Sequence, residues 1–361
     1  IFIQKKPFSN LYRNLSWNFI GQLVGKSSLV LFHIFFANLI GAQRYGEFSF
    51  IFVGGLIILQ PILDLGLNQI ITKWISRGNI EVVRLSLSIK SIIATFLIPT
   101  VLLAGWLFDM NFFLLITITG FFFFNTLQQS FFGILRGVED LRPESIISAI
   151  QNLLAFCALY ICIFNEFTET WIGPLLLMIS RFSGTMVLFG VIWKIYYPKL
   201  KNKKNDSLIL TKSTLWRESL SLGLVIFLIQ FYFRVDTIML GILNSQEEVG
   251  LYNMAYNLME GTFFIPTIIM ASIFPGLSKE NFFLSYFRKG AYLLTISGIF
   301  CGMITFFLAD FIINIFLAQE FLNSVGLLKI LSFAIPLVFW GYLTTQSLIA
   351  LDLSKFFLLV T

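Results

Sequence analysis

About ten long apolar runs constrain this chain more than any other feature, near 15–40, 46–71, 91–108, 112–135, 145–164, 171–195, 219–243, 249–275, 291–308 and 325–351. Roughly 20 consecutive apolar residues of helix cross the hydrocarbon core of a bilayer. Inside that core no water satisfies backbone N–H and C=O groups, so a spanning segment must close its own hydrogen bonds, as a helix does. The expected fold class is therefore an all-α polytopic membrane protein. Charged residues make up 12% of the chain, half the share of about 25% usual in soluble domains. An eleventh apolar run starts at Phe356 and stops with the chain, and residue 1 is Ile, so both ends are expected to be incomplete. No short cleavable signal stands before the first run, which is long enough to remain as an anchor.

Loop charges set an orientation. Lys and Arg collect on the cytoplasmic side, and here twenty of them fall in one alternate set of loops. That set holds the N-terminus, 72–90 (Lys73, Arg77, Arg84, Lys90), 136–144, 194–217 with its KLKNKKND core, 276–290 and Lys355. The opposite loops hold Arg44 alone, among acidic residues such as Glu47, Glu166, Glu247 and Glu320. The expectation is a cytoplasmic N-terminus with ten complete spans.

Two stretches also repeat at a spacing of about 204 residues. LIGAQRYGEFSF (39–50) resembles LNSQEEVGLYNMAY (243–256), with Gly46 matching Gly250. Pro61 falls one residue out of step with Pro266, and Arg84 matches Arg288. Six spans separate the copies, an even number, so the halves run in the same direction, as in parallel transporter repeats. The expected organisation is an N-terminal six-helix bundle over 1–198, a basic cytoplasmic linker over 199–216, and a second bundle over 217–361 with about four of its six spans.

Seven charged residues fall inside the runs: Lys26, Asp64, Arg181, Arg234, Asp236, Glu260 and Lys329. A charge at the bilayer centre costs about 2.5–3.5 kcal/mol on insertion scales, which makes intramembrane ionisable groups functional candidates. At 1.5 Å rise per residue, Lys26, Arg181 and Glu260 lie roughly 15–17 Å from their span ends, near the level of Arg234. Arg234 and Asp236 are two apart and point to different sides of a helix, and neither positions 230 and 231 nor 237 and 238 offer Arg234 an acid. Its partner comes from another span, water or a ligand; the structural alternative is an ion pair fixing two helices. Asp64 is expected near a cytoplasmic end, where water can solvate it, and Lys329 near the outer interface with its stem snorkelling. His33, the sole histidine, is expected to be a hydrogen-bonded interior residue. Pro61 and Pro266 are expected to kink their spans.

Signals of catalysis are missing. One histidine cannot build a multi-His metal site, Cys157, Cys162 and Cys301 have no metal-ligand spacing, and no glycine-rich phosphate loop follows a strand. The chain is expected to be no enzyme, to need no cofactor or metal, and to bind no nucleic acid.

Three segments carry a family resemblance: NLSWNFIGQ (14–22), LIGAQRYGEFSF (39–50) and above all VDTIMLGILNSQEEVGLYNMAYNL (235–258). The last resembles a pattern of an Asp, then LG, then VGxYxxA. The chain so resembles the Wzx-type oligosaccharide flippases, polysaccharide exporters of the multidrug/oligosaccharidyl-lipid/polysaccharide superfamily. The resemblance implies a V-shaped helical transporter that opens alternately to the two sides of the bacterial inner membrane. It implies, as cargo, undecaprenyl-pyrophosphate-linked oligosaccharide repeat units, as for O-antigen, flipped to the periplasmic leaflet. Lys26, Arg181 and Arg234 then become candidates for the pyrophosphate or acidic sugars, Arg through its planar fork. Asp236, Glu260 and Asp64 become candidates for coupling to H+ or Na+. Membrane lipids, and possible contacts with a polysaccharide polymerase and chain-length proteins, complete the implied partners. Family members usually have twelve or more spans, so this chain stops short of that pattern.

Three alternatives stand beside this one. A MATE-like exporter of cationic drugs calls for acidic and aromatic groups in its lumen, against three midplane cations here. A membrane glycosyltransferase or polymerase calls for a sizeable extramembrane loop. A non-transporting component of polysaccharide assembly would use its buried charges only for packing.

Overall fold

The computed structural model describes residues 7–201, 212–277 and 283–350, and among these it contains helices and turns but no strand. Most of the basic 199–216 segment, Lys5, Lys6, Lys279, Lys355 and the run from Phe356 lie outside the described residues. Fifteen α-helices follow in chain order. They are α1 (Pro7–Ile40), α2 (Ala42–Gly54), α3 (Gln60–Asp64), α4 (Leu67–Ser76), α5 (Glu81–Leu107), α6 (Phe112–Gly137), α7 (Arg142–Phe164) and α8 (Ile172–Val191). After them come α9 (Tyr197–Lys201), α10 (Lys212–Leu243), α11 (Gln246–Glu260), α12 (Phe264–Leu277), α13 (Phe283–Phe316), α14 (Ser324–Ser332) and α15 (Ala334–Ala350).

Among the described residues eight helices are long and apolar enough to cross a membrane, or nine if the pair α14 and α15, bent by 44°, counts as one span. The sequence leads to ten, and helix continuity accounts for the difference. The expected span 249–275 is laid down as α11 and α12 with a 3-10 turn, Gly261–Phe263, between them. The interruption lies a few residues before Pro266, which cannot donate a hydrogen bond to the preceding turn. The third expected span begins earlier than its apolar run, because α5 starts at Glu81 and takes Arg84 and Lys90 into the helix.

The chain divides into two compact units, residues 1–47 with 243–361, and residues 48–242. These units cut the chain elsewhere than the bundles 1–198 and 217–361 of the sequence repeat.

In the unit 48–242, α6 is the central element. Gly133 and Gly137 let α4 approach closely: a Cβ on Gly133 would lie 2.9 Å from the Asn68 carbonyl oxygen, and one on Gly137 2.7 Å from Ile75 Cβ. Thr72 Oγ1 donates to the Gly133 carbonyl at 3.1 Å. Small residues at four-residue spacing are a common way for helices to meet in lipid, where packing and hydrogen bonds replace the hydrophobic drive. Around this contact Leu67, Ile70, Ile71, Phe132 and Leu135 form a core. The flanks of α5 and α7 stay apolar yet uncovered, as Phe96, Trp106, Leu154 and Ile161 show, the pattern of a lipid-facing surface.

In the other unit, α13 buries Gly290, Gly298 and Gly302 against α14 and α15. The α1–α2 hairpin is tied to the end of α13 and the α13–α14 connection by one side chain from each side. Asn38 donates to the Phe316 carbonyl at 2.7 Å and accepts from Ala318 N at 2.9 Å, and Glu320 accepts from Ala42 N at 2.9 Å. Gly46 on α2 and Gly250 on α11 meet directly. A Cβ on Gly46 would fall 1.6 Å from the Gln246 carbonyl oxygen, and one on Gly250 2.1 Å from that of Ala42. Each glycine faces the carbonyl four residues before the other, a reciprocal contact between positions that the repeat aligns.

Candidate functional site

Asp64 and Lys90 form the most completely built polar site in the unit 48–242. The helix that begins with α2 passes through a π-turn, Gly55–Leu59, and α3, then breaks at Leu65 (φ +45°) and Gly66 (φ +75°) before α4. Asp64 sits at the break, and its Oδ1 accepts from Asn68 N at 3.2 Å, satisfying a backbone donor in the first turn of α4. Lys90 enters from α5. Its Nζ donates to Asp64 Oδ1 at 2.9 Å, Asn68 Oδ1 at 2.7 Å and Ser130 Oγ at 2.8 Å, with the Thr126 carbonyl at 3.3 Å. The side chains of Lys90 and Asp64 are 2% and 7% exposed. Two expectations are corrected here. Lys90 belongs to the interior rather than to a cytoplasmic loop, because α5 begins nine residues before it, and Asp64 is paired rather than solvated.

Arg181, on α8, occupies a different setting. Its Nη2 donates to Asn152 Oδ1 on α7 at 3.0 Å, and its guanidinium carbon lies 5.6 Å from the Phe121 ring centre on α6. Its Nε is buried without a hydrogen-bond partner among the described residues, and no carboxylate there pairs with it. Immediately before Asn152 on α7, Gln151 makes a second polar contact, the buried pair Gln128 Nε2 to Gln151 Oε1 at 2.6 Å. Gly184 on α8 makes room for that pair, since a Cβ there would lie 2.2 Å from Gln151 Oε1. The faces of α6, α7 and α8 thus share a polar stripe that ends in an uncompensated cation. Arg234 is buried at 7% exposure and engaged by neighbouring groups. Asp236 accepts from Thr237 N at 2.6 Å.

In the other unit, the structure brings two candidates together. Lys26 on α1 is within electrostatic reach of Glu260, the last residue of α11. The 3-10 turn that follows starts at Gly261, whose Cβ would lie 3.3 Å from Val30 on α1. Tyr342, on α15, also lies within electrostatic reach of Glu260. Lys26, Glu260 and Tyr342 therefore gather at a helix interruption, the kind of place where membrane carriers hold ions and charged cargo. His33 is hydrogen-bonded as expected, with Nδ1 3.1 Å from Tyr45 Oη, which accepts from Asn257 Nδ2 at 2.9 Å. Lys329 pairs with Asp310 at 2.6 Å.

Asn68, Lys90, Ser130, Asn152 and Tyr342 escape sequence reasoning. A signal exists for the first alone: the Asp-Leu-Gly at 64–66 ends an apolar run and Asn68 follows four residues after the Asp. Nothing in one dimension links them to residue 90. Among the described residues no group of three or more His, Cys, Asp or Glu side chains could hold a metal ion.

Residues 11–280 match the sequence profile of a family described as polysaccharide biosynthesis protein. No curated protein matches the chain by sequence. Among solved structures, the chain superposes on a superfamily transporter from Pyrococcus furiosus, whose description says that a binding pocket of reversed polarity suggests a different function. That match has TM-score 0.71 and 13% identity, covering 97% of this chain and 84% of the other. An outward-facing multidrug resistance MATE-family transporter gives TM-score 0.68 and 13% identity over 96% of this chain and 84% of that one. An inward-facing one gives 0.59 and 12%, over 99% and 84%. At these identities the likeness is one of fold.

Proposed function

From the premise that the chain belongs to the polysaccharide biosynthesis protein family and has the fold of a multi-pass membrane transporter, we propose that it flips lipid-linked oligosaccharides. The proposed cargo is an undecaprenyl-pyrophosphate-linked repeat unit, moved by alternating access from the cytoplasmic to the periplasmic leaflet of the bacterial inner membrane. A fold shared with drug exporters does not assign the cargo; the charge of the site is what supports this choice.

The observation that carries this reading is Arg181. A guanidinium held by a neutral amide and an aromatic face, with no carboxylate among the described residues, keeps its positive charge available to an anion. Phosphate suits it, since two parallel N–H groups meet two oxygens. A lumen selecting cationic drugs would repel its cargo there. Lys26 and Arg234 join Arg181 as proposed cargo contacts. Glu260 and Asp236 are the proposed coupling groups for H+ or Na+, and Glu260 stands beside Lys26 in a position to exchange partners. The N-terminal six-helix bundle 1–198 and the C-terminal bundle 217–361, with about four of its six spans, joined by the 199–216 linker, are the proposed moving bodies. A polysaccharide polymerase and chain-length proteins are the proposed downstream partners.

The test is complementation of cells lacking their own flippase, with membrane levels of each variant matched by immunoblot. The protein is expected to restore surface polysaccharide. Arg181→Ala is expected to lower it at least about tenfold, the loss of one charge-assisted contact, and Arg181→Lys to restore part of it. Failure of the unaltered protein to restore polysaccharide, with export of cationic dyes instead, would overturn the reading.

A further inference from the structure

We propose that the pocket formed by Asp64, Asn68, Thr126 and Ser130 is a monovalent-cation site that the chain fills with its own ammonium, that of Lys90. Four oxygens of four chemical kinds converge on Lys90 Nζ: a carboxylate, an amide carbonyl, a hydroxyl and a main-chain carbonyl, at 2.7–3.3 Å. All-oxygen donor sets of this kind suit hard cations rather than transition metals. The single negative charge suits a monovalent one.

Three features separate this site from a plain buried ion pair. It lies at a helix break, where unwound backbone and half-helix ends gather ion ligands. Its donors come from three helices: Asp64 and Asn68 from either side of the break, and Thr126 and Ser130 from successive turns of α6. An ammonium has three N–H groups, yet four oxygens surround this one, and Ser130 Oγ also lies 2.9 Å from Asn68 Oδ1. The pocket therefore offers more oxygen than an amine needs. The Thr126 hydroxyl, on the residue that lends its carbonyl, is itself buried without a hydrogen-bond partner among the described residues.

A tethered ammonium never leaves by dilution, so the break between α3 and α4 is held closed whatever the ionic composition outside. Asp64 is then withdrawn from ion coupling, and any ion dependence of transport falls to other residues. This inference stands on its own, whatever the cargo.

The test removes the amine and offers ions in its place. Lys90→Ala, Asp64→Asn/Lys90→Ala and the unaltered protein are purified in detergent. Each is melted in sodium chloride, potassium chloride or N-methyl-D-glucamine chloride of equal ionic strength. Lys90→Ala is expected to melt about 2–4 °C higher in sodium or potassium than in N-methyl-D-glucamine, beyond any shift of the unaltered protein. The double variant is expected to lose that extra shift. An extra shift that is missing in Lys90→Ala, or that persists in the double variant, overturns the proposal. Cells are rich in potassium, so failure of Lys90→Ala to accumulate while the double variant accumulates overturns it equally.

Discussion

Lys90 and Arg181 show how one residue type of charge takes opposite roles according to what surrounds it. Lys90 is neutralised by a carboxylate and wrapped by oxygens, whereas Arg181 is held, among the described residues, by an amide and a ring. Their energetics differ as much. Breaking a buried ion pair leaves a lone charge and costs about 3–5 kcal/mol. A neutral hydrogen bond between membrane helices averages about 0.6 kcal/mol, with a maximum near 1.7. Lys90→Met is therefore expected to destabilise the protein several times more than Gln128→Leu, which breaks only the buried amide pair with Gln151. Denaturation in mixed micelles, read by tryptophan fluorescence, measures both, and equal losses would count against a charged interior at Lys90.

At the scale of elements, glycine decides which helices meet. Gly46 and Gly250 bring α2 and α11 into backbone contact, where a methyl group has no room. Gly54, on the same α2, has nothing within 4 Å of the place a Cβ would take. Gly46→Ala is expected to cost about 1–3 kcal/mol through overpacking. Gly54→Ala, by contrast, is expected to leave stability unchanged or raise it by up to about 1 kcal/mol through helix propensity. Melting temperatures of the two variants check this, and a similar effect of both would show that the α2–α11 crossing is loose. Breaks matter at the same scale. The Leu65–Gly66 and Gly261–Phe263 interruptions each lie beside an acidic residue, Asp64 and Glu260, and each has a lysine near that acid. The first pair is sealed by direct hydrogen bonds from the amine to the carboxylate and its neighbours.

For the whole molecule, the bias of nineteen basic residues against one that remains once Lys90 is taken out of the loops makes an orientation testable. In a background where Cys157, Cys162 and Cys301 are alanine, Thr168→Cys lies in the loop between α7 and α8, and Arg77→Cys between α4 and α5. Both positions are exposed. A membrane-impermeant maleimide is expected to label position 168 in intact cells and position 77 only after permeabilisation. The reverse pattern would place the N-terminus outside, against the rule that basic loops stay in the cytoplasm.

The sequence by itself determined that this is an all-helical membrane protein and where most of its helices lie, because hydropathy and backbone satisfaction act locally along the chain. It pointed to a hydrogen bond for His33, which Tyr45 supplies, and its repeat aligned Gly46 with Gly250, which the fold brings together. Its count of ten spans came from treating apolar length as helix continuity, which a 3-10 turn at Gly261 and a bend before Ala334 interrupt. Only the tertiary structure decided the partners. The rotation of one helix against the next is set by side-chain contacts far apart in sequence, such as Lys90 with Asp64 and Ser130 or Arg181 with Asn152 and Phe121. A lysine counted as a loop residue became the centre of a buried site because α5 starts a few residues earlier than its apolar stretch, and because Asp64 waits at a break in the neighbouring helix.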